Sequence, residues 1–431
     1  MFLETGLLGL GALLLLLFCR VPVAIALIGV SMGGISAMLG ADVAIGMLAS
    51  KPYDFLSKWT LSAVPMFLLM GFVSYYTGLT AGLFSAAKVV FRWLPGGLAI
   101  SSIFACSGFA AVSGSSVACA AAMGKIAIPE MVRSGYRPSF ASGTIAAGGT
   151  IGALIPPSIL MIIYGTFTQT SITEVFLGGI VIGLVTAIAY SIVVLLVSAV
   201  RPDIVPRHEK GAFDYSISQA VREIWPVLVL GVLIFGGLFS GVFTATEAGA
   251  MGAAGAIVIA WVLGRLDLQT FKTALLETLS TTATLLIIGV GATMFTVFLS
   301  LSGVASAIGG LLDNWSLGYL EMILIIIAVY LVLGLFMEPF GAMLITLPIF
   351  LPVLDSFDVS LVWFGVLVVK LLEIGMITPP VGMNIFVIRG VASSYCSLMD
   401  VFKGVTWFLV ADLFILALMV FAPEFVMILI N

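Results

Sequence analysis

Two apolar stretches of this chain, each long enough to cross a bilayer, are interrupted by a pair of prolines: GTIGALIPPSILMIIYG (149–165) and EIGMITPPVGMNIFVIRG (373–390). Proline removes a backbone donor and pushes away the carbonyl four residues back. Hydrocarbon offers no water to the freed groups, so such a break is tolerated only where protein or a wet cavity surrounds it. Composition puts the breaks in hydrocarbon. Of 431 residues 61% are hydrophobic and 9% charged, with a mean hydropathy of +1.27, against about 25% charged in soluble domains. The chain reads as an all-α polytopic membrane protein. Apolar segments of crossing length fall at about 3–19, 22–40, 61–79, 140–168, 174–200, 224–243, 246–264, 273–300, 361–390 and 402–422. The first is read as a membrane helix and not a cleaved signal, since no basic region precedes it.

Two further apolar stretches, 96–132 and 319–355, each hold two helix-length pieces around a turn signal, SGSS (113–116) and MEPFG (337–341). Each reads as a re-entrant hairpin; the alternative is two ordinary spans. The breaks and hairpins recur. A shift of 223 residues lays Pro156 and Pro157 on Pro379 and Pro380, Gly152 on Gly375, Ile151 on Ile374, Ile162 on Ile385, Pro129 on Pro352, Gly29 on Gly252, and Ser115 on Glu338. The expected organisation is a first repeat over 1–200, a polar linker over 201–223 and a second repeat over 224–431. Five crossings and one hairpin per half make the number odd, so the second half is expected to run inverted. With the linker in the cytoplasm, 13 Lys and Arg fall inside and only Lys51 and Lys58 outside, as the positive-inside rule requires.

Inverted repeats, broken helices and hairpin tips that meet near the midplane are the plan of a secondary transporter. The liberated carbonyls are expected near Gly149–Gly152 and Glu373–Gly375, where they suit a hard cation. Ser113, Ser115 and Ser116 at the first tip add hydroxyls, and Thr378 adds one beside the second break. Such neutral oxygens favour Na⁺ over a transition metal. Glu338 at the second tip reads either as an ion-site carboxylate or as a helix cap facing a wet vestibule. Lys370 and Glu373, three apart on one helix, read as a self-neutralising pair, with a substrate-carboxylate role for Lys370 as the alternative. Glu247 begins a Gly/Ala-rich helix and reads as structural. Asp412 has no evident partner. The stretches 80–95 and 302–317 are too short and polar to cross; the first, with Lys88 and Arg92 on one face, reads as an interfacial arm helix.

Enzymatic chemistry has little to stand on. The single histidine, His208, lies in the polar linker, and Cys19, Cys106, Cys119 and Cys396 form no CxxC pair. Ser115 with Lys125 is the only conceivable nucleophile–base dyad.

GFAAVSGSSVACAAAMGKIAIPEMVRSGY (108–136), GVFTATEAGAMGA (241–253), GLFMEPFGAMLITLPIFLPV (334–353) and the two proline-pair stretches together resemble the large membrane subunit of the tripartite ATP-independent periplasmic (TRAP) transporters, the DctM-like family. The resemblance implies an elevator-type importer of the ion-transporter superfamily, driven by Na⁺ as coupling ion. It would act on a small organic anion such as a sialic acid, C4-dicarboxylate or sulfonate in the bacterial or archaeal cytoplasmic membrane. The implied partners are a periplasmic substrate-binding protein, a separate small four-helix membrane subunit and membrane lipid, with no nucleic acid. The family's first ion site maps to Ser113, Ser115, Gly152, Ile155 and Pro157, and its second to Glu338, Gly375, Thr378 and Pro380. Ser116, Thr150, Lys370 and Asn384 are the substrate candidates. Lys370 stands where the pattern leads us to expect a neutral polar residue such as Asn. A stand-alone Na⁺- or H⁺-coupled anion symporter or antiporter of the same superfamily is the competing expectation.

Overall fold

The computed structural model describes residues 2–206, 217–304, 307 and 318–430. Within them the first half runs α1 (Leu3–Phe18), α2 (Val23–Leu39), α3 (Ala41–Leu56), α4 (Ala63–Tyr76), α5 (Gly82–Phe91), α6 (Gly97–Ser113), α7 (Ser116–Arg133), α8 (Pro138–Thr150), α9 (Ile159–Thr168) and α10 (Ile172–Val200). The second half runs α11 (Ile217–Gly231, prolonged through a π-helical stretch Val232–Gly236), α12 (Ala245–Val262), α13 (Leu268–Ser302), α14 (Tyr319–Gly334), α15 (Pro339–Ser356), α16 (Leu361–Ile377), α17 (Met383–Val391) and α18 (Leu398–Phe421). Seven helical segments among the described residues are long and apolar enough to cross a membrane, and several shorter apolar helices accompany them.

The two halves repeat one order of elements. Shifted by 223 residues, α7 falls on α15 at both ends, the start of α8 falls on the start of α16, and the end of α9 falls on the end of α17. One difference was not anticipated. The sequence reading left 41–60 without a crossing, but α3 fills most of it as a helix packed on α2 and α13. It is short and partly polar, with Lys51 paired to Asp54 at 3.3 Å, so a search for 20 apolar residues passes over it. The matching stretch of the second half, 264–283, lies mostly in α13, a single helix of 35 residues.

Packing sorts the helices. α13 lies along α2 and α4, and α12 along α4. In the other group α18 lies along α8, α7 along α8, α14 along α16, and α17 against α7 and α8. Hydroxyls buried in these helices turn back on their own backbone: Ser31 to Leu27 O at 2.6 Å, Ser101 to Gly97 O at 2.6 Å, Thr144 to Phe140 O at 2.8 Å. This local bond satisfies the donor where no water reaches. Leu8, Phe18, Leu413 and Phe414 are exposed, and Trp59, Trp93 and Trp261 are exposed at or beside helix ends. That is the distribution of a lipid-facing belt with interfacial aromatic anchors.

Three expectations are settled here. Lys88 does not face water: it is 5% exposed and pairs with Glu130 of α7 at 2.7 Å, so arm helix α5 is tied to the first hairpin. Glu247 is structural, closing a capping box with Thr244 at the start of α12. The last seven residues of the expected linker, 217–223, are already helical in α11. His208, Arg207 and Lys210, and most of the second expected arm at 302–317, lie outside the described residues.

Candidate functional site

The first hairpin turns on Gly114, whose φ of +59° is a left-handed conformation suited to glycine. An added Cβ there would run into the carbonyl oxygen of Pro157. The tip therefore rests directly on the first break. Ser115 caps α7 by accepting from Ala118 N at 3.3 Å, and its own N–H donates to Ser113 Oγ at 3.5 Å. Gly152 packs on the same turn; a Cβ built on it would lie 3.0 Å from Ser116 Cα. Ser113, Ser115, Gly152 and Pro157 are thus one neighbourhood. Ile155 turns its side chain toward Gly183 of α10.

The break itself is a short 3-10 turn, Ile151–Ala153, followed by a non-helical run to Ser158. The Ile151 carbonyl accepts from Leu154 and Ile155, and those of Gly148 and Gly149 accept from Ile151. The Pro156–Pro157 and Pro379–Pro380 peptides are both cis.

At the second tip Glu338 occupies the N-cap position before Pro339, within reach of the Gly341 N–H but without a well-formed capping bond. Its Oε1 is buried and lacks any hydrogen-bond partner among the described residues. Gly375 faces Gly334 backbone to backbone, which only glycines permit: a Cβ on Gly334 would lie 2.9 Å from Gly375 Cα. Thr378 closes α16 by donating its Oγ1 to Ile374 O at 2.6 Å, while its N–H donates to Gly375 O at 3.3 Å. Each carbonyl keeps a second lone pair. The two breaks differ in setting. Residues 151–160 are all buried, whereas Pro379 and Pro380 are exposed.

Both tips open on one cavity of about 450 Å³. Gly114, Ser115 and Ser116 line it from the first tip, and Glu338, Pro339 and Phe340 from the second. Tyr75 and Tyr76 of α4 and Glu277 and Thr281 of α13 complete its polar wall; Tyr76 donates to Glu277 Oε1 at 2.7 Å.

Residues 10–425 match the family described as tripartite ATP-independent periplasmic transporter, DctM component. The chain belongs to this family. Among curated TRAP permeases, the C4-dicarboxylate large permease DctM of Pseudomonas aeruginosa is 36% identical over 83% of this chain and 84% of its own length. The sialic acid large permease SiaM of Vibrio cholerae is 32% identical over 96% of both chains. The isethionate permease DctMQ of Oleidesulfovibrio alaskensis is 33% identical over 89% of this chain, which spans 60% of that longer protein. These relatives are transporter subunits, and the present TRAP permease is not an enzyme. Among solved structures, the Alcanivorax borkumensis YdaH transporter superposes with a TM-score of 0.62 over 89% of each chain at 15% identity. Neisseria gonorrhoeae MtrF gives 0.59 over 89% of this chain and 86% of its own. Both share the fold.

Of the substrate candidates in this TRAP permease, Ser116 alone is on the cavity wall. Thr150 is buried and donates to Ala147 O at 2.7 Å. Asn384 is buried, its Nδ2 donating to Ala146 O at 3.4 Å and its Oδ1 without a partner among the described residues. The expected Lys370–Glu373 pair is not made. Lys370 Nζ, fully buried, bonds Asp412 Oδ1 of α18 at 2.6 Å, and Tyr190 OH of α10 donates to the same carboxylate at 2.9 Å. Glu373 instead accepts from Ser116 Oγ at 2.7 Å. Three-residue spacing permitted the first pair, but a stronger partner lay 42 residues away in sequence. Glu277 and Tyr76 were missed. An acidic residue inside the apolar segment 273–300 was the signal for the former.

Proposed function

We propose that this TRAP permease imports a small organic anion, a carboxylate or sulfonate, with Na⁺ across the cytoplasmic membrane. A periplasmic binding protein delivers the substrate, and a separate small four-helix subunit completes the membrane unit. The observation that carries the reading is the convergence of the Ser115 and Glu338 tips, each beside a proline-pair break, on one cavity. Its volume of about 450 Å³ falls in the ~300–1,000 Å³ range of small-molecule sites. The relatives named for C4-dicarboxylates, sialic acid and isethionate support the substrate class.

Charge gives an order of events. The charged groups on the cavity wall are Glu277 and Glu338, both acidic. An anion entering between carboxylates meets repulsion that low dielectric magnifies. In this mechanism cations load first, at Ser113, Ser115, Gly152, Ile155 and Pro157 and at Glu338, Gly375, Thr378 and Pro380. Helix starts at Ser116 and Pro339 then present positive dipole ends to the substrate. The hairpins and broken helices move as one body against the group of α2, α4, α12 and α13, an elevator stroke.

The test is uptake of labelled succinate, sialic acid and isethionate into proteoliposomes holding both membrane subunits, with and without the binding protein and an inward Na⁺ gradient. Uptake of one of them that needs both is the expected result, and making Ser115 or Thr378 bulky abolishes it. Na⁺-independent uptake, undiminished in both variants, overturns Na⁺ coupling. Transport by the chain alone points instead to a stand-alone symporter.

A further inference from the structure

Glu373 is 0% exposed on α16 in the second half, yet it faces the first half's tip and break. Its Oε1 accepts from Ser116 Oγ, and the carboxylate lies by the backbone N–H of Ala153, the residue after Gly152. Its Oε2 is buried with no hydrogen-bond partner among the described residues. The nearby cation makes no ion pair with it: Lys370 Nζ is bonded to Asp412 Oδ1, with Thr186 Oγ1 at 3.4 Å and the Tyr190 ring centroid at 5.7 Å as further contacts. The buried charges of this cluster are Lys370, positive, and Glu373 and Asp412, negative. They leave one negative charge unmatched, and a buried charge is paired with a counter-charge or neutralised.

We propose that Glu373 is the charge-bearing ligand of a monovalent-cation site that straddles the two halves of the chain. The inference rests on the Na⁺ reading above and deepens it. Glu373 Oε2 and the Ser116 hydroxyl supply oxygens from α16 and α7, and the backbone around Gly152 is packed against Ser115 and Ser116. One missing positive charge fits Na⁺ and not a divalent ion. Such a cation clamps α16 of one half to the hairpin tip of the other.

The test uses the purified two-subunit membrane complex. Its thermal stability is titrated with NaCl at constant ionic strength in choline chloride. Wild type is expected to be stabilised by Na⁺, and Glu373→Gln to raise the Na⁺ midpoint about tenfold or more, a loss of about 1.4 kcal/mol. Asp54→Asn, which removes a surface carboxylate, leaves the midpoint at its wild-type value. Equal midpoints for wild type and Glu373→Gln overturn this site while leaving Na⁺ coupling intact. No Na⁺ response in wild type overturns both. Should Glu373→Gln not fold, Ser116→Ala removes the hydroxyl that orients the carboxylate; a shifted midpoint supports the site and an unshifted one overturns it.

Discussion

At the scale of single residues, the buried polar groups separate into those matched inside the chain and those left open. Lys370 and Asp412 are matched at 2.6 Å with both side chains essentially inaccessible. Removing one member of such a pair strands the other, which costs about 3–5 kcal/mol, whereas replacing both with apolar residues of similar volume is close to neutral. Lys370→Met should therefore lower the melting temperature of the purified protein sharply, and Lys370→Met with Asp412→Leu should restore most of it. A double variant as unstable as the single one would show that the pair is not acting as a pair. Glu338 is the opposite case, with a buried carboxylate oxygen lacking a partner among the described residues. Glu338→Gln should leave stability in Na⁺-free buffer unchanged or raised, while the Na⁺ concentration for half-maximal uptake rises about tenfold, roughly 1.4 kcal/mol. A large loss of stability without Na⁺ would make Glu338 a structural residue.

At the scale of elements, each hairpin tip is specified by the residues of its turn and by what the turn touches. Gly114 combines a positive φ with contact against the Pro157 carbonyl. In Gly114→Val the left-handed conformation costs ~1–2 kcal/mol, and the new side chain pushes the tip off the break. The variant is expected to elute as a monodisperse complex by size exclusion and to lose nearly all uptake; near-normal uptake would show that the tip need not seat on Pro157. The two turns and the two breaks were legible in sequence because proline, glycine and serine leave a punctuation that apolar context cannot erase. The helix α3 was not legible, since its 16 residues mix Lys51, Asp54 and apolar positions without a crossing-length run. The pairing of Lys370 was illegible for another reason. Spacing along one helix shows which groups can meet, but only tertiary packing brings α16, α18 and α10 together so that Asp412 wins over Glu373.

At the scale of the molecule, two similar breaks sit in dissimilar surroundings. The first is enclosed from Ile151 to Leu160, while Pro379 and Pro380 of the second are open. Two methionines report the contrast: Met161, just after the first break, is 0% exposed, and Met383, just after the second, is 36% exposed. Hydroxyl-radical footprinting of the resting protein should oxidise Met383 well before Met161, and equal rates would mean that both breaks are equally hydrated. A compound small enough to follow solvent into the open break could wedge between α16 and α17 without resembling the transported anion. The permease thus offers a vulnerable seam where Met376 and Met383 border the central cavity, on one side of its near-symmetry only.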